Sequence, residues 1–89
     1  MQVSIDGQRL WSSLMAMAEI GATPNGGSNR LALTLEDTAG RQQLIEWCAD
    51  IGCHVRSDAV GNLFFRRPGT RDDLAPAAVG SHLDTQPKG

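Results

Sequence analysis

Leu10, Trp11, Leu14, Met15, Met17 and Ala18 recur at three- and four-residue steps. That spacing predicts an amphipathic helix with one broad apolar stripe, and places Trp11, Met15 and Met17 in a core. Asp6 has the short acceptor side chain of an N-cap, and Gly21 the backbone freedom of a C-terminal stop. Gly21 to Asn29, G-A-T-P-N-G-G-S-N, then breaks the period with turn chemistry. A second helix is expected from Thr34: its hydroxyl can cap the amide of Asp37, and Glu36 and Asp37 suit the positive first turn. Leu44, Ile45, Cys48 and Ile51 continue its apolar face, with Trp47 beside it. Gly40 inside it weakens the helix by about 1 kcal/mol relative to alanine, and Gly52 ends it. The period then falls to two. Cys53 to Ser57 alternates around Val55, Leu63 to Arg67 is a second strand, and Asp58 to Asn62 turns between them, a hairpin with a slightly long loop. After a loop from Pro68 to Pro76, a third strand is expected over Ala77 to Leu83. Two helices followed by three strands suit an α/β layer structure, α+β within this stretch.

Composition narrows the classes. With 89 residues, 40% hydrophobic and 4% aromatic, the chain has a modest core supply, enough for one small domain or part of a larger one. A net charge of −2 and a pI near 5.5 argue against nucleic acid as a partner. Arg66-Arg67, the basic pair, reads as a solvated strand end. No apolar run reaches the ~18 residues of a membrane span. The opening residues lack a basic segment followed by an apolar one, which points to the cytoplasm. Cys48 and Cys53 do not form C-x-x-C and read as free thiols in a reducing compartment. The glycine-rich loop lacks the Lys-Ser/Thr ending of a phosphate-binding P-loop.

The chemistry sits in A-A-V-G-S-H-L-D-T-Q-P-K-G, residues 77–89. On a strand, side chains alternate faces, so His82 and Asp84 would point the same way. An imidazole can bind a cation through one nitrogen while a carboxylate takes the proton on the other and fixes the tautomer. H-x-D alone is a weak pattern, and such a pair is more often an ordinary hydrogen bond at a strand end. A four-coordinate catalytic zinc takes about three protein ligands, so further ligands have to come from elsewhere. His54, alone in the first strand, is assigned no role.

Several pieces in order carry a family resemblance: R-L-W-x-x-L, I-G-A-T-P-x-G-G, R-L-A-L-T, V-G-N-L-F-x-R-R-P-G and G-S-H-L-D-T-Q-P-x-G. Together they resemble the hydantoinase/carbamoylase amidases, the branch of the dinuclear metal aminoacylase and carboxypeptidase superfamily that includes N-carbamoyl-L-amino-acid hydrolases, β-ureidopropionases and allantoate amidohydrolases. The T-Q-P wording is closer to the carbamoylase and β-ureidopropionase members. The resemblance implies that residues 1–89 are the leading part of one mixed-sheet catalytic domain, truncated, with the lid and dimerisation domain absent. It implies a small-molecule substrate, linear amide or ureido C–N bonds as the target, two divalent ions (Zn or Mn), and a homodimeric parent. His82 matches a metal-ligand histidine and Asp84 the catalytic-site aspartate that orients it. The family's bridging aspartate, catalytic glutamate and substrate-binding arginine fall beyond Gly89, so this chain by itself is expected to be inactive. Two other readings stand beside the enzyme: a non-catalytic remnant, and an α+β interaction domain in which His82 and Asp84 only hydrogen-bond.

Overall fold

The structure is a computed structural model that describes residues 2–88. Gly89, the last residue of the motif matched to the amidases, lies outside the described residues. The elements are α1 (Gly7–Glu19), α2 (Leu35–Asp50), β1 (His54–Ser57) and β2 (Leu63–Arg66), an α+β arrangement. Two compact units divide the chain. One comprises the residues up to Gly40 together with those from Leu83 onward; the other runs from Arg41 to His82.

In the first unit, α1 begins where the sequence signals it. The Asp6 carboxylate accepts the amide of Arg9 at 3.0 Å, satisfying one of the orphan donors of the first turn. Ile20 closes the helix, its amide donating to the Met17 carbonyl, and Gly21 takes φ +86°, a left-handed conformation suited to glycine. The loop that follows is held by short-range bonds: the Thr23 hydroxyl accepts the Gly27 amide at 2.9 Å, and the Asn29 amide donates to Gly21 O at 2.7 Å. At the start of α2 the Thr34 hydroxyl accepts the Asp37 amide at 3.2 Å. The Asp37 carboxylate in turn accepts the Leu33 amide at 3.0 Å, which stabilises Leu33 at φ +70°.

The second unit contains the antiparallel hairpin, with His54 opposite Arg66 and Ser57 opposite Leu63. Its turn is organised by Asp58. One carboxylate oxygen accepts the amides of Val60 at 3.0 Å and Asn62 at 2.8 Å, and the other accepts the Asn62 side-chain amide at 2.8 Å. Hydrogen bonds from the Asn62 side chain and backbone hold the Asp58 carboxyl below its ordinary value, because they stabilise the charged form. Gly61 supplies φ +92° where the turn needs it.

Two expectations are corrected. The third strand is not formed: residues 75–86 carry no strand, and β1–β2 is the sheet among the described residues. A strand is a ladder of bonds to a neighbour, and Val79 in that run is fully exposed. The helix stripe is also uncovered. Trp11 is 57% and Met15 43% exposed, with Leu10 and Leu14 likewise exposed, while Met17 is half-buried; no apolar side chain among the described residues is buried.

Candidate functional site

The most constrained part of the first unit is built around Arg30, at the end of the glycine-rich loop. This residue is 6% exposed. The guanidinium donates from Nε to Leu83 O at 3.0 Å, and from Nη1 to Met17 O at 2.9 Å and Ile20 O at 2.6 Å. The last two carbonyls lie at the C-terminal end of α1, Met17 in its last turn and Ile20 at its cap, where the helix dipole is negative and carbonyls outnumber the amides available to them. The Arg30 backbone is engaged as well. Its amide donates to the Thr85 hydroxyl at 2.7 Å, and its carbonyl accepts the Thr85 amide at 2.8 Å. Ser28 and Thr85 share a hydroxyl–hydroxyl bond at 3.0 Å.

Two glycines make room for this arginine. A Cβ on Gly40 would lie 2.8 Å from Arg30 Cδ, and one on Gly21 would lie 3.2 Å from Arg30 Cβ. Gly40, which weakens α2 as a helix, is thus the residue that lets α2 pass against the arginine stem.

Asp84 lies between the two residues that Arg30 holds, and is half-buried. His82 is exposed and is the last residue of the second unit. Without the expected strand, period-two alternation no longer supplies a reason for the two side chains to share a face. The segment is held instead through Leu83 and Thr85. The donor types fit a divalent cation, an imidazole with a carboxylate two residues on. A full coordination set does not follow from them: among the described residues no group of three or more His, Cys, Asp or Glu could hold a metal.

Other groups are poorly placed for chemistry. Cys48 and Cys53 are free and half-buried. Burial, with Cys53 nearby, pushes the Cys48 thiol up, which lowers its thiolate fraction and makes it a poor nucleophile. A shallow hollow of about 450 Å³ in the second unit is lined by Arg66, Arg67, Arg71 and Asp72, and contains neither His82 nor Asp84. The Arg66 and Asp72 side chains in it are 61% and 71% exposed and 3.7 Å apart, an ion pair open to solvent that contributes little.

Sequence reasoning missed Arg30. The signal was there as a lone arginine in R-L-A-L-T between a glycine-rich turn and a capped helix, but its partners Leu83 and Thr85 lie more than 50 positions away.

The same segments recur in known proteins. The N-carbamoyl-L-amino-acid amidohydrolase of Rhizobium meliloti is 47% identical over 85 residues, which is 96% of this chain and 20% of that protein. The allantoate amidohydrolase of Escherichia coli strain K12 is 36% identical over 78 residues, 88% of this chain and 19% of that protein. A crystal structure of an amidase of the hydantoinase/carbamoylase family from Burkholderia multivorans superposes with a TM-score of 0.93 at 54% identity, over 98% of this chain and 21% of that one. The chain is related to the hydantoinase/carbamoylase amidases. It spans about a fifth of the length of the curated relatives it matches. No protein-family model matches it. The hydantoinase/carbamoylase likeness covers both units and includes the H-L-D segment. None of the described helices is long and apolar enough to cross a membrane.

Proposed function

We propose that this chain is the leading part of the catalytic domain of a metal-dependent amidohydrolase that cleaves linear amide or ureido C–N bonds. N-carbamoyl amino acids are the substrate class. The observation that carries this reading is the agreement, over nearly all of the chain, with relatives named for that reaction, together with an H-L-D segment in which a buried arginine holds the residues on either side of Asp84.

In this reading His82 holds one of two divalent ions, zinc or manganese, through an imidazole nitrogen. Asp84 accepts the proton on the other nitrogen, which fixes the tautomer and raises ligand basicity. When bound, such ions polarise a carbonyl and lower the pKa of water so that hydroxide forms near neutral pH. The groups that bind the substrate and the proton-shuttling acid belong to the remainder of the fold. So do the other ligands and the dimer contact of a homodimeric cytoplasmic parent. On this reading the 89-residue chain on its own is expected to be inactive.

The test is a chimera in which residues 1–89 replace the matching segment of the Rhizobium meliloti relative. The unsubstituted chimera hydrolyses an N-carbamoyl amino acid. His82→Ala loses one metal equivalent by elemental analysis and nearly all turnover. Asp84→Asn keeps part of its metal and loses turnover by about 10–100-fold. Unchanged metal content in His82→Ala, or a folded chimera without hydrolase activity, refutes the reading.

A further inference from the structure

We propose that Arg30 is a positioning residue, which clamps the main chain on both sides of Asp84 and so sets where the carboxylate stands. The assignment rests on the reading of His82 and Asp84 given above.

The residues before and after Asp84 are both tied to this one arginine. Leu83 is held through its carbonyl by Nε, and Thr85 through its amide and hydroxyl by the Arg30 backbone. With no strand ladder along residues 75–86, these bonds do the work that a neighbouring strand otherwise does. The far end of the same guanidinium is anchored on Met17 O and Ile20 O, at the C-terminal end of α1. The segment is thereby referenced to a helix terminus, a rigid element, as a site with tight positional tolerance requires.

Residue type matters here. The planar guanidinium addresses carbonyls of two separate segments at once from fixed directions, whereas a lysine has a single ammonium on a flexible stem. At 6% exposure the residue has little surface to offer a substrate, so its influence passes through the segment it holds. Burying the charge is unfavourable unless its donors are matched, and three carbonyls accept three of its five N–H groups. Gly21 and Gly40 preserve the space. Stability alone does not call for a buried cation here, because apolar packing replaces buried ionic groups without loss in many folds.

The experiment uses the same chimera with Arg30→Lys and, separately, Thr85→Val, which removes the hydroxyl that accepts the Arg30 amide. Zinc affinity is measured by chelator competition, alongside kcat, KM and thermal midpoint. Each variant is expected to weaken zinc binding about 10–100-fold. Each lowers kcat by a comparable factor and leaves KM within about twofold, since no substrate contact is removed. Zinc affinity and kcat within about twofold of the unsubstituted chimera, whatever happens to the midpoint, overturn the assignment and leave Arg30 a purely structural residue. If Arg30→Lys fails to fold, Thr85→Val decides. His82→Ala separates the two levels: retention of its metal removes the site reading itself. Loss of metal there, with Arg30→Lys and Thr85→Val unaffected, removes only the role of Arg30.

Discussion

Replacing Gly40 by alanine sets two effects of opposite sign against each other. In an isolated helix the change stabilises by about 1 kcal/mol, because glycine loses the most backbone entropy on folding. In this fold the new methyl would sit 2.8 Å from Arg30 Cδ, 3.3 Å from Arg30 Nε and 3.4 Å from Met17 Sδ. The first distance is too short for carbon atoms, so the arginine stem has to move. Overpacking of this kind costs about 1–3 kcal/mol. Displacing Nε also strains its bond to Leu83 O, and a hydrogen bond from a charged donor contributes about 1.5–3 kcal/mol. The stem is tethered at three carbonyls and cannot swing away freely. The expected net effect is destabilisation by about 2–4 kcal/mol, despite the better helix former. The assay is thermal unfolding of the chimera with Gly40→Ala, with Arg30→Ala, and with both. With the arginine stem removed, Gly40→Ala should become neutral or stabilising by up to about 1 kcal/mol, so the cycle is strongly non-additive. A melting temperature that rises when Gly40→Ala is made alone would refute the steric argument.

Two further outcomes are expected. The Asp58 carboxyl is held below its ordinary value, so the turn gains stability from it above the usual aspartate pKa. That stability is lost as pH falls through the lower, folded value. Titration followed at the Val60 and Asn62 amides should give a midpoint below that of a free aspartate, and Asp58→Asn should abolish it; a midpoint at the free-aspartate value contradicts the turn geometry. The isolated 89-residue chain should melt gradually and bind a hydrophobic dye, because Leu10, Trp11, Leu14 and Met15 are exposed and no apolar side chain among the described residues is buried. A sharp cooperative transition with no dye binding would oppose that expectation.

What the sequence determined by itself was local. Asp6 and Thr34 cap the helices they were expected to cap, Gly21 ends α1, and the hairpin falls within a residue of its predicted bounds. In each case the decisive donor and acceptor lie within four or five positions, so the pattern of the chain already contains the interaction. The H-L-D segment was legible too, through its wording and its place in an ordered series of motifs.

Tertiary structure alone decided what depends on distant partners. A short apolar run says that a stretch can be a strand, not that a neighbour exists to pair with it; residues 75–86 form no ladder, and Leu83 and Thr85 are held by Arg30 instead. A helical stripe says which side of α1 is apolar, not whether anything covers it. Gly40 reads from sequence as a flaw in α2, and only the arginine stem lying against it turns the missing side chain into a packing requirement. Arg30 is the sharpest case. Its bonds span 10 to 55 positions. No local signal encodes a contact of that range, because the loop entropy of closing it is recovered only when the whole unit comes together.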